Sequence, residues 1–250
     1  MSNLAAANRA IPVFQFIAAA PRRAGRDLQL GGPGSGCWNQ APPNRLMEKF
    51  RTYLIFGAPG AGKGTQGKSL GSIPRFFHCA CGDVFRAIDT RTPLGQKFVE
   101  YSSRGELVPD ELTVELWRTR IQHCVEDHTF KPDIDSLVLD GIPRNVRQAE
   151  IMRDIIDVRR VFHLSCPDRS KLVQRLRKRA IKDNRFDDAN ESVIRHRLET
   201  YVHESKPLLD YYGPELICNI DATAPPVVVF SKIIGIVAQD ALNDPAATIV

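Results

Sequence analysis

One stretch leaves this chain little freedom in what it can fold into: Gly57-Ala-Pro-Gly-Ala-Gly-Lys63-Gly-Thr65. An apolar run at 52–56 precedes it and a helix-compatible stretch follows, so the G-x-x-x-x-G-K spacing stands in the strand–loop–helix setting that its chemistry requires. Glycines let the main chain curl until successive N–H groups point inward, and the following helix adds the positive end of its dipole. The result is a cradle for phosphate. Gly60, Ala61, Gly62, Gly64 and Thr65 would line it, with Lys63 reaching the β- and γ-phosphates of a nucleoside triphosphate. Gly64 stands where many such loops carry Ser or Thr as a direct Mg2+ ligand, so the metal is expected to be held mainly by phosphates and water. A glycine-rich turn that merely caps a helix is the plainer reading; the spacing, the lysine and the preceding strand argue against it.

From Arg51 onward short apolar runs alternate with amphipathic stretches, which predicts an α/β fold with a parallel sheet wrapped by helices. Strands are expected near 52–56, 76–79, 137–139, 160–164 and 216–220. Helices are expected near 62–70, 94–103, 110–125, 146–156, 168–178, 191–211 and 225–240. No internal repeat is visible.

With 43% hydrophobic and 25% charged residues over 250 positions, the chain can bury a substantial core without disulfide or metal. Its six cysteines (Cys37, Cys79, Cys81, Cys124, Cys166, Cys218) form no C-x-x-C pair, which points to reduced thiols in a cytosol-like compartment. Most of the net charge of +5 lies in residues 1–46, where Arg9, Arg22, Arg23, Arg26 and Arg45 face Asp27 alone. The remainder is nearly neutral and offers no face for nucleic acid. Residues 1–46, rich in Ala, Arg, Gly and Pro, have no sustained period and are expected to be disordered. Their acid-poor composition also fits an organelle-targeting peptide, and Met47 fits an alternative start. No apolar run approaches the roughly 18 to 20 residues that span a bilayer. No membrane partner is expected, and the location is cytoplasmic unless residues 1–46 direct import.

Further motifs follow in order: Cys81-Gly-Asp-Val-Phe-Arg86, Gly105-Glu-Leu-Val-Pro-Asp110, Asp140-Gly-Ile-Pro-Arg144-Asn-Val-Arg-Gln148, Arg175-Leu-Arg-Lys-Arg179, Arg185-Phe-Asp187-Asp188 and Arg197-Leu-Glu-Thr-Tyr201. With the Gly-Thr after the loop lysine, this set resembles the adenylate kinase family from about residue 51 to 240. The resemblance implies a P-loop three-layer fold with a central parallel five-stranded sheet, all within residues 47–250. A helical insertion that binds the nucleoside monophosphate would lie at about 80–109, and a short lid at about 179–189. Only residues 180–184 separate Arg179 from Arg185, which leaves no room for a zinc site.

Phosphoryl transfer between two highly charged nucleotides requires positive groups at the reacting centre and exclusion of water. Arg86, Arg144, Arg179, Arg185 and Arg197 can supply that charge, and a guanidinium grips phosphate oxygens in pairs while staying protonated. The resemblance implies that Arg86 and Arg144 hold the acceptor's α-phosphate, that Arg179, Arg185 and Arg197 close over the transferring group, and that Arg175 lies against the ATP base. The candidate catalytic set is Lys63, Arg144, Arg179, Arg185 and Arg197. Substrate binding falls to Cys81, Arg86, Glu106, Leu107, Val108, Gly141, Arg144, Gln148, Arg185 and Arg197. Asp140, at the carboxyl end of a strand, would orient Mg2+ through water. Gln148 could offer its amide to the acceptor adenine, its plainer reading being an exposed helix glutamine. Arg177 and Lys178 read as a solvated basic face. One residue more than in many relatives separates Asp188 from Arg197, so Arg195 stands as the alternative to Arg197. Cys81 stands where the family usually has threonine.

The implied activity is reversible transfer of the terminal phosphoryl group of ATP to AMP, giving two ADP, by a monomer whose partners are ATP with Mg2+ and AMP, in adenine nucleotide homeostasis. A UMP/CMP kinase of the same fold is the nearest alternative, although Gln148 and Val108-Pro109-Asp110 lean toward AMP. A nucleotide-binding regulator without turnover is the alternative of another class; it would be expected to have lost Lys63 or the arginines, and none is lost.

Overall fold

The computed structural model describes residues 49–183, 185, 188 and 190–243. The expected disorder or targeting role of residues 1–46, the start at Met47, and Asp187 lie outside the described residues.

Five strands form one parallel sheet: β1 (Phe50–Gly57), β2 (Phe76–Ala80), β3 (Ser136–Asp140), β4 (Ile156–Ser165) and β5 (Ile217–Asp221), in the order β2-β3-β1-β4-β5. A central parallel strand covered on both faces should be apolar where it is buried, and β1 is so from Tyr53 to Phe56. Leu54 and Phe56 pack on one side with Val114, Trp117, Ala149 and Met152; Tyr53 and Ile55 pack on the other with Leu70, Leu176 and Ile233. The helices divide accordingly. On the Leu54 face lie α2 (Cys81–Arg86), α4 (Asp110–Glu126), α5 (Val146–Met152) and α8 (Leu208–Tyr212). On the Tyr53 face lie α1 (Lys63–Gly71), α6 (Arg169–Lys182), α7 (Glu191–Thr200) and α9 (Pro226–Asn243). Sheet and two helical layers make the three-layer α/β fold. The remaining helix, α3 (Pro93–Arg104), starts on a Thr92 side chain that accepts from the Gly95 N–H, with Pro93 at its first turn. It stops where Gly105 turns left-handed at φ 76°.

Three expectations are corrected. The helix expected at 146–156 ends at Met152, and β4 begins at Ile156, earlier than expected. Asp157 and Arg159 made this half of the strand look polar, but β5 pairs only from Val161 onward, so Ile156 to Arg160 have a strand neighbour on one side alone. The single helix expected at 191–211 is α7, then a wider π-type turn at Tyr201–Ser205, then α8 after Pro207. Pro207 lacks the N–H an unbroken helix needs and disfavours helix just before it. The residue pattern did not mark α2, because Cys81, Gly82 and Asp83 are weak helix formers, although it falls within the helical insertion that the resemblance implies at about 80–109; it begins on the residue after β2.

The expectation that no apolar run approaches spanning length is also corrected. At 18 residues with mean hydropathy 1.3, α9 is long and apolar enough to cross a bilayer. In this fold it lies on the sheet through buried Val229, Ile233 and Val237, and β4 Arg160 grips its Asp240 with Nη2 2.6 Å and Nε 3.0 Å from the carboxylate.

Phe162 is fully buried in β4, its ring nearly parallel to Tyr53 at 5.9 Å. Phe162→Ala is expected to cost about 3 to 5 kcal/mol. Differential scanning calorimetry should show Tm lowered by about 6 to 20 °C; a loss under about 1 kcal/mol would contradict a tightly packed layer on this face.

Candidate active site

Where β1 ends at Gly57 the chain curls before α1 opens at Lys63. Gly62 has φ 98° with nothing within 4 Å of where a Cβ would sit, so glycine is needed there for backbone conformation and not for space. The Lys63 residue is half-buried, but its ammonium is turned inward, donating to Gly57 O at 2.8 Å and Ala58 O at 3.1 Å. Loss of water pushes its pKa down to about 8; Asp140 pulls it up, while Arg144, Arg179 and Arg197 push it further down. Asp140 is close because β3 pairs with β1 in register Ile55 to Asp140, which sets both strand ends at one edge of the sheet. That edge is where an open α/β sheet presents ligands.

The arginines are held by acceptors that prevent them from simply repelling each other apart. Asp188 is fully buried; its Oδ2 takes the Arg179 Nε at 2.6 Å and its Oδ1 the Arg197 Nη1 at 2.5 Å. Arg144 donates from Nε to Gly141 O at 2.9 Å, and Arg86 pairs with Asp83 at 2.5 Å. The arginines, Arg185 among them, border one cleft of about 930 Å³ that is also lined by the glycine loop and by Cys81 and Leu107, while Asp188 lies buried behind them.

The cleft brings together the residues named in the sequence as catalytic, nucleotide-binding or metal-orienting candidates. Gly60, Ala61, Gly62, Gly64, Thr65, Arg175, Cys81, Arg86, Glu106, Leu107, Val108, Gly141, Gln148, Asp140 and the catalytic candidates all line it. Of the two alternatives, Arg197 has a side chain 20% exposed that borders the cleft, whereas that of Arg195 is 71% exposed and reaches Glu191 at 3.7 Å. Arg177 turns away to Glu191, as a solvated face requires, but Lys178 borders the cleft. Gln148 is not an exposed helix glutamine. It is 1% exposed, its Oε1 accepts the Arg144 N–H at 2.8 Å and its Nε2 donates to Asp110 at 2.7 Å. Cys81 is buried and burial pushes its thiol up to about 11, so it presents a neutral, weakly hydrogen-bonding surface.

Sequence reasoning passed over the roles of Asp188, Asp110 and Tyr201. The first two stood inside named motifs, but a carboxylate's partners are a tertiary fact. Tyr201 borders the cleft in the π-type turn and packs on Phe56 at 5.5 Å; its place in the Arg197-Leu-x-x-Tyr201 pattern was the available signal.

The chain matches the family model described as Adenylate kinase over residues 55–216. It is 39% identical over 194 residues to the adenylate kinase of Cyanothece sp., covering 74% of this chain and 94% of that protein. Identity to the adenylate kinase of Thermobifida fusca is 40% over 181 residues, 69% of this chain and 90% of that one. To the adenylate kinase of Chlamydia muridarum it is 31% over 237 residues, 81% and 92% respectively.

The lowered Lys63 pKa fixes a pH dependence. Charged and buried, the lysine opposes folding below about pH 8, and that opposition lifts as pH rises from about 8 toward the ordinary 10.5. Phosphate binding runs the other way, because it needs the charge. Affinity for a nucleoside triphosphate in the empty site is expected to fall above pH about 8, by up to about tenfold per pH unit. Calorimetric titration across pH 7 to 10 measures it; the decline should vanish in Lys63→Met, and a flat profile in the unaltered protein would contradict the buried-ammonium geometry.

Proposed function

The chain belongs to the adenylate kinase family, and from that premise we infer that it moves the terminal phosphoryl group of ATP onto AMP to give two ADP. The observation that carries this reading is a single cleft with a phosphate loop at one end, a second arginine-lined end, and four cations where the two meet. A protein that only bound one nucleotide would have no use for the far end.

ATP takes the loop end, its phosphates on the loop N–H groups and Lys63, its base beside Arg175. AMP takes the other end, with Arg86 and Arg144 on its phosphate. For Arg86 this means exchanging the Asp83 carboxylate for a phosphate, a change of partner without a change in charge type. An oxygen of the AMP phosphate forms the new bond to the γ-phosphorus. The bond from that phosphorus to the β–γ bridging oxygen breaks, and its electron pair leaves with ADP. The attacking oxygen is already anionic, so no general base is needed. Lys63, Arg144, Arg179, Arg185 and Arg197 lower the barrier by meeting charge on the transferring group in a site closed to water.

The residues fit a Mg2+ that rides on the nucleotide. Asp140 offers one carboxylate facing Gly64, no hydroxyl stands at that position, and no cluster of three or more ligating side chains occurs among the described residues. Bound there, the ion would neutralise phosphate charge.

Lys63→Met or Arg144→Ala should lower turnover by about 10³ to 10⁵, or ~4 to 7 kcal/mol. ADP formation from ATP is to be measured in both variants and, in the unaltered protein, against AMP, CMP, UMP and GMP. AMP is the expected acceptor. Near-normal turnover in either variant, or preference for CMP or UMP, would overturn the reading.

A further inference from the structure

Asp110 opens α4 two residues after the segment 105–108 that borders the cleft, and its carboxylate gathers three hydrogen bonds from Asn145 and Gln148. Asn145 Nδ2 donates to Oδ1 at 3.0 Å and to Oδ2 at 3.1 Å, and Gln148 Nε2 donates to Oδ1 at 2.7 Å. Asn145 in turn caps α5, its Oδ1 accepting the Gln148 N–H at 2.9 Å.

A primary amide is nearly symmetrical in shape, and turning it over exchanges a carbonyl oxygen for an NH2 at little steric cost. Gln148 is denied that freedom. An ionised carboxylate only accepts and a backbone N–H only donates, so Asp110 requires the Nε2 and the Arg144 N–H requires the Oε1. Each amide atom has one valence left: a lone pair on Oε1 and an N–H on Nε2. An acceptor beside a donor matches a base carrying an exocyclic amino group next to an unprotonated ring nitrogen, as at N6 and N1 of adenine. The inverted amide would match a base carrying an oxo group next to a ring N–H.

We propose that Asp110 is a positioning residue for base selection: it locks the Gln148 amide in the sense that admits amino-substituted acceptor bases and rejects oxo-substituted ones. This rests on the reading of the cleft's second end as the AMP site. Rejection follows from leaving buried, committed hydrogen-bonding groups facing groups of their own kind, the arrangement that discriminates most strongly in polar sites.

The test compares AMP with IMP, which differ at this edge alone in amino against oxo and in the ring proton. The quantity is the ratio of kcat/KM for AMP to that for IMP, in the unaltered protein, Asp110→Asn, Asp110→Ala, Gln148→Ala and Asp110→Ala/Gln148→Ala, below each variant's Tm. Asp110→Ala should lower the ratio by roughly five- to fiftyfold, mainly through a higher KM for AMP with kcat for AMP held within about threefold; Asp110→Asn, whose Oδ1 can still accept from Gln148 Nε2, should lower the ratio less. In the Gln148→Ala background the Asp110 change should leave the ratio unmoved. A residue that only secured α4 would lower Tm and leave the ratio alone, and that result in Asp110→Ala, with the ratio collapsing in Gln148→Ala, overturns this proposal only. If Gln148→Ala preserves the ratio, the base does not meet Gln148, and the placement of AMP fails with it.

Discussion

The crowding of positive charge around Lys63 is the constraint on which the rest of this molecule depends. Burial first, and then the nearness of Arg144, Arg179 and Arg197, depress the proton affinity of Lys63, and without phosphate the arrangement is self-repelling. Much of the architecture serves to hold it. The parallel sheet sets the ends of β1 and β3 side by side, so that Asp140 faces the loop. Buried Asp188 ties a residue of α6 to one of α7, so the two guanidinium groups stay together when the cleft is empty. A buried carboxylate between two arginines adds little stability over an apolar replacement, but removing it would leave two partly buried charges uncompensated. Its contribution is to geometry.

The acceptor end follows a different principle. There the groups are neutral or already committed: a protonated thiol, an amide with both ends engaged, an arginine bound to Gly141 O. Strong phosphate binding is non-selective among nucleotides, because every candidate carries the same phosphate. Selectivity has to come from groups with a fixed donor or acceptor sense, and those groups are found where Gln148, Asn145 and Asp110 interlock.

The order of elements was legible from residues alone because strands and helices here keep their periods, and the glycine loop gave one fixed point from which sheet direction followed. Legibility failed where an element's neighbours override its composition. The first half of β4 is polar since one of its sides lacks a strand, and Pro207 divides a helix that looked continuous. At the site, the run Arg175 to Arg179 taken alone reads as a solvated basic face, but the cations were readable because they stand inside motifs whose order resembles that of the adenylate kinase family. Asp188 and Asp110 were not, since whether a carboxylate in a lid or at a helix start is solvated or buried depends on residues 9 to 38 positions away. The same holds for Gln148, whose helix position is visible in the sequence but whose burial and amide sense are not.

The central claim is that the cleft is one site for a continuous phosphate chain between two nucleosides, not two separate nucleotide sites. Isothermal titration with a dinucleotide in which two adenosines are joined through five phosphates tests it most directly. One equivalent should bind, at least about a hundredfold more tightly than ATP or AMP alone, since linking makes the second contact intramolecular. Two equivalents, or an affinity no better than that of ATP, would contradict the account.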